Sequence, residues 1–168
     1  MNISKKFLSV SCYIFLAFFS FFINYWTGSR GLLPLDTFVH FDSAARILNQ
    51  ELPIRDFWIV HGLFVDYIQL IFFKIFGINW QAYIVHGSIF NLIITIFSYK
   101  IFNLLKINLP LAFLLSLSFA VLAYPVSATP FLDLHSAYLS LIAMYFLLLF
   151  IKSENLYNIF FIVIILGL

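Results

Sequence analysis

Charge is what this chain has least of. Only 10% of its 168 residues are Asp, Glu, Lys or Arg, against 64% hydrophobic and 21% aromatic, with a mean hydropathy of +1.05. A globule of this size needs far more polar surface than that, which excludes a soluble domain. The single cysteine, Cys12, excludes an intramolecular disulfide and any cysteine-built metal centre. A formal charge of +2, scattered along the chain, excludes nucleic acid as a partner.

What is there is hydrocarbon in long runs. Several runs are long enough to cross a hydrocarbon layer of about 30 Å as helices, so the expected fold is all-α, a polytopic transmembrane helix bundle with the lipid bilayer as its first partner. One module over residues 1–168 is expected, with spans at about 7–25, 81–104, 109–124 and 136–151. A last run, 156–168, is truncated: at about 13 residues it falls short of the roughly 20 needed to span. It ends without a charge or aromatic anchor, so the chain is expected to be an N-terminal fragment. Lys5 and Lys6 precede the first run and no small-x-small cleavage site follows, which predicts an uncleaved helix with a cytoplasmic N-terminus. Tyr25 and Trp26 then fall in the opposite aromatic belt.

The polar residues are concentrated in one stretch. Trp26 to Gly77 holds five of the seven acidic residues, all three arginines and two of the four histidines. Within this outer loop, 26–80, two interfacial helices are expected, at about 36–49 and 62–76. In the first, Phe38, Phe41, Ala45 and Leu48 share one face and Asp36, His40 and Ser43 the other, which predicts a helix lying greasy side down on the membrane. The second carries Asp66, Gln69 and Lys74 in about 15 residues, short and polar for a span. Charge decides its course: if it lies at the interface, Lys100, Lys106 and Lys152 fall on the cytoplasmic side with Lys5 and Lys6, as the positive-inside bias requires. Residues 125–130 then form a short outer loop, bringing Asp133 and His135 to the same membrane face as residues 36–61.

The string Leu35-Asp36-Thr37 to Ile47-Leu48, followed by Glu51-Leu52-Pro53-Ile54-Arg55-Asp56-Phe57-Trp58 and His61-Gly62-Leu63, resembles the first outer loop of membrane-embedded C-type glycosyltransferases. Its nearest branch is similar to the bacterial relatives of protein mannosyltransferases and lipid A aminoarabinose transferases. Phe73-Lys74-Ile75-Phe76-Gly77 and Ala128-Thr129-Pro130 ahead of Asp133 also resemble that pattern, and the likeness covers roughly residues 10–150. It implies transfer of a sugar from a polyprenyl-phosphate carrier to an acceptor at the outer face of a bacterial inner membrane. It also implies catalytic roles for Asp36 and Asp133. The family's acidic pair is here Asp36-Thr37. Its Lys-Pro-Pro is here His61-Gly62-Leu63, so no carrier-phosphate contact is carried over there.

The chemistry needs a carboxylate to take the acceptor's proton and cations or a divalent metal to meet the leaving phosphate. Asp36 is the candidate base, with Asp56 or Asp133 beside it. Arg55, Arg46, His61 and His135 are candidates for the phosphate, with His40 also near the substrate. Each has a plainer reading. Asp36 follows Pro34 and can cap a helix, Asp42 with Arg46 reads as a solvated i,i+4 pair, and Arg55 with Asp56 as a loop ion pair. His40 and His61 read as interfacial side chains, Asp133 and His135 as a helix start, and Asp66 with Gln69 as facing water. The rival function is a non-enzymatic transporter, flippase or assembly subunit, for which His86 and Asn91 inside a span are the best signal.

Overall fold

The computed structural model describes residues 3–31 and 37–167, with side chains from residue 7 onward. Among the described residues seven helices follow one another: α1 (Ile3–Gly28), α2 (Val39–Leu48), α3 (Phe64–Phe76), α4 (Trp80–Leu104), α5 (Leu109–Leu122), α6 (Leu132–Ser153) and α7 (Leu156–Leu166). No strand occurs among the described residues. Three stretches, Phe7–Gly28, Trp80–Leu104 and Leu132–Ser153, are long and apolar enough to cross a membrane, and α5 and α7 are shorter apolar helices. These are the proportions of a membrane protein.

Asparagine opens three of the helices. Asn79, Asn108 and Asn155 each accept a backbone N–H with the side-chain oxygen, from Ala82 (2.8 Å), Leu111 (3.0 Å) and Tyr157 (3.0 Å). Each satisfies one of the donors that a helix N-terminus leaves orphaned. Gly77, at φ +82°, turns the chain out of α3 in a backbone conformation that suits glycine.

The centre of the bundle is α1 against α4, running antiparallel. At one end Trp80 donates its indole N–H to the Gly28 carbonyl at 3.0 Å, and at the other the rings of Tyr13 and Tyr99 meet edge to face at 4.8 Å. Between them Asn91 donates to the carbonyls of Ser20 (2.7 Å) and Ala120 (2.9 Å), clamping α1, α4 and α5 together. Polar clamps of this kind suit an apolar bundle, where packing and interhelical hydrogen bonds supply the association that water drives elsewhere. α5 returns antiparallel to α4, α6 runs parallel to α4, and α7 packs along α6.

Because Gly28 and Trp80 are in contact, residues 29–79 leave and re-enter at one end of the bundle. A helix of 13 residues covers only about 20 Å, short of the roughly 30 Å of hydrocarbon. α2 and α3 sit on that end as a cap. Ala44, Phe73 and Ala82 form its core with Phe41, Ala45 and Leu48 against them, so most of the greasy face expected to lie on lipid is covered by α3 and α4, while Phe38 stays exposed. His40 and Ser43, on the face expected to be wet, are buried too.

Three further expectations changed. α1 continues through Gly28 because that residue lies against Ile84, where a Cβ would stand 2.9 Å from a methyl carbon. α2 begins at Val39, and Asp36 lies outside the described residues. α6 begins at Leu132, which places Asp133 and His135 in its first turn. Residues 125–130 form the expected short loop between α5 and α6, and it is seated on the bundle: Tyr124, Pro125, Ala128, Thr129 and Pro130 are buried, and the Ala128 carbonyl accepts from Asn24 at 3.0 Å.

Candidate functional site

All four histidines of the chain gather at the capped end of the bundle, in two groups one helical turn apart. Asp66, in the first turn of α3, is fully buried and bonded through both oxygens: Oδ1 lies 2.7 Å from Nδ1 of His40 and Oδ2 lies 3.0 Å from Nε2 of His61. His40 comes from the first turn of α2 and His61 from the loop before α3; their rings meet edge to face at 4.5 Å. These three side chains, each offering one ligand atom, have those atoms within 4.8 Å of one another, a spacing that suits a metal ion.

Gln69, three residues further along the same face of α3, begins the second group. Its side-chain amide lies 2.9 Å from Nδ1 of His86, and His86 faces His135 with 3.1 Å between their Nε2 atoms. Nδ1 of His135 lies 2.9 Å from the Phe131 carbonyl and 3.3 Å from the Tyr124 hydroxyl. A carbonyl only accepts, so His135 donates from Nδ1 and, uncharged, must accept at Nε2. His86 then donates from Nε2 and accepts at Nδ1, which requires the Gln69 nitrogen there. That end of the amide is interchangeable by a flip, and the flip also gives the otherwise unpartnered Gln69 nitrogen a bond.

A polar groove of about 370 Å³ opens beside the first group. Asp42 and Arg46 of α2 line one wall, Asp56, Phe57 and Trp58 the other, and His61 closes its inner end. Arg46 bonds Asp42 at 2.8 Å and Glu51 at 3.1 Å, and Arg55 grips Asp56 through two bonds of 2.8 and 2.7 Å. The bidentate Arg55 and the Leu52 amide together hold the Asp56 carboxyl down at about 2. Asp42, Glu51 and Asp56 against Arg46 and Arg55 leave the groove short of positive charge.

The structure therefore divides the expected site. Asp56 and His61 line the groove, as does Arg46, while Arg55 is spent on its neighbour. His40 is buried behind His61. Asp133 is exposed with no partner among the described residues, whereas His135, two positions on, turns inward to a separate 130 Å³ cavity between α3, α6 and α7. Asp66 was missed as a centre. The available signal was its spacing with Gln69 and Phe73, i, i+3, i+7, which puts two polar residues on a face that ends in a core phenylalanine.

The segments that carry the two catalytic candidates meet. The Tyr83 hydroxyl donates to the Thr37 carbonyl at 2.6 Å and stands 3.2 Å from that of Pro130, so the residue after Asp36 and the turn before Asp133 share one phenol. No family, no characterised protein and no solved structure matches the chain.

Proposed function

We propose that this chain is a membrane glycosyltransferase that moves a sugar from a polyprenyl-phosphate carrier to an acceptor at the outer face of a bacterial cytoplasmic membrane, with the N-terminus on the cytoplasmic side. The observation that carries the reading is that Thr37, which follows Asp36 in sequence, and Pro130, three residues before Asp133, share the Tyr83 hydroxyl at the capped end, which also carries a polar groove. Asp36 takes the proton of the acceptor hydroxyl or amine, the acceptor oxygen or nitrogen bonds to the anomeric carbon, and the carrier phosphate leaves with the electron pair. Of the candidates for the phosphate, Arg46 and His61 border the space where it would sit, Arg46 as a charge and His61 as a neutral donor or through a bound ion.

A transporter needs its polar groups near mid-membrane. Asn91 is committed to holding three helices together, and His86 lies six residues, about 9 Å, from the start of α4. Both weigh toward one-face chemistry. The test is transfer from labelled polyprenyl-phosphate sugars by membranes carrying Asp36→Asn, with Asp133→Asn alongside. Loss of transfer with normal membrane insertion is expected; wild-type turnover in Asp36→Asn would remove the base from the mechanism.

A further inference from the structure

We infer that His40, His61 and Asp66 form a binding site for one divalent transition-metal ion of the zinc or manganese type. Three observations converge on it. The donors come from three separate pieces of chain, α2, the loop before α3 and α3 itself, and the fold aims them at one point. The carboxylate is wholly buried, and the side chains facing it are the two imidazoles. His61, with a tenth of its side chain exposed, both bonds Asp66 and lines the groove, so one imidazole joins this point to the groove.

The dimensions ask for a rearrangement of side chains, since one donor atom from each residue lies within 4.8 Å of the other two and the widest separation must close as the ion binds. Donor separations of 2.7 and 3.0 Å are those of hydrogen bonds, and spreading them to about 3.3 Å gives the edge of a tetrahedron with metal–ligand bonds of about 2.0 Å. Two nitrogens and one carboxylate favour zinc, cobalt or manganese over magnesium or calcium, which prefer all-oxygen shells. Three protein ligands and an open fourth position are the pattern of a metal that works on a ligand, whereas purely structural sites are closed. The nearby groove, short of positive charge, is where such an ion would act.

The inference stands apart from the sugar-transfer reading, because it is measured with no donor or acceptor present. The full chain, purified in detergent and stripped with chelator, is titrated with Co²⁺ by visible absorption and with Zn²⁺ by calorimetry. One equivalent per chain is expected, with Mg²⁺ failing to compete. Asp66→Asn and His61→Ala should each weaken Zn²⁺ binding by roughly ten-fold or more, and His135→Gln, at the other histidine pair, should leave it unchanged. Asp66→Asn preserves size and polarity, so it keeps the test open if His61→Ala does not fold. Absence of stoichiometric binding, wild-type affinity in Asp66→Asn, or loss of binding in His135→Gln would overturn the site.

Discussion

Nε2 of His86 and Nε2 of His135 face each other across 3.1 Å, so a single hydrogen lies between them. The Phe131 carbonyl fixes which ring supplies it: His135 is the Nδ1–H tautomer and His86 the Nε2–H tautomer. Nitrogen-15 shifts of the two rings should show these opposite tautomers in the folded protein. Replacing His135 by Phe removes the acceptor and leaves a buried N–H unpaired, at a cost of about 1–3 kcal/mol in detergent unfolding. Identical tautomers on both rings, or an unchanged unfolding midpoint, would contradict the network.

Two glycines hold close approaches, and they should respond differently to alanine. At Gly87 a Cβ would stand 2.7 Å from the Ala128 carbonyl oxygen, an atom already fixed by Asn24. At Gly28 it would meet side-chain carbons of Ile84 at 2.9 and 3.0 Å, which can shift by rotation. Overpacking against backbone costs about 1–3 kcal/mol, whereas alanine in a helix returns up to about 1 kcal/mol. Gly87→Ala should therefore lower the unfolding midpoint clearly and Gly28→Ala by much less; the reverse order would show that the 124–130 turn is not seated as described.

Asp56 gives a pH expectation confined to the loop. Its carboxyl, held at about 2 by Arg55 and the Leu52 amide, is depressed in the folded chain. Its contribution is present above the ordinary carboxylate range, near about 4, and is lost as pH falls through about 2. Amide exchange at Leu52 should stay slow relative to its neighbours throughout the neutral and mildly acidic range and rise only as that window is entered. Asp56→Ala should speed it at all pH values without moving the bundle's unfolding midpoint, because the pair is solvent-exposed.

How much of this was legible follows from the length scale of each interaction. Helices appear in sequence as apolar runs, and the run expected at 81–104 lies within one residue of α4, which Asn79 caps. Where tertiary contact sets an end, the reading fell short: the first span, expected to stop near residue 25, continues to Gly28, which packs against Ile84. The site has the same character. His40, His61 and Asp66 are 26 and 5 positions apart, a spacing that matches no local motif and that only the packing of α2 on α3 brings together. Asp133 and His135 look like one cluster in sequence, yet two steps along a helix turn them by about 200°, to opposite sides.

Tyr83 provides the most direct handle on the proposed reaction centre. In that proposal it is a positioning residue: its hydroxyl touches the Thr37 carbonyl at 2.6 Å and lies 3.2 Å from that of Pro130, and so ties Thr37 to the turn before α6. Tyr83→Phe keeps the ring, which packs on Phe41 at 5.4 Å and Trp80 at 5.7 Å, and deletes only the tie. The lost bond should cost about 1–2 kcal/mol, too little to unfold the bundle. Spin labels placed at Phe38 and Ser136, both exposed, in a Cys12→Ser background should show a narrow distance distribution that broadens in Tyr83→Phe. If sugar transfer occurs between the two acidic segments, its kcat should fall in parallel, with the donor's KM less affected, since remote positioning acts on the geometry of attack more than on carrier binding. An unbroadened distribution with full activity would show that the phenol holds nothing the reaction uses.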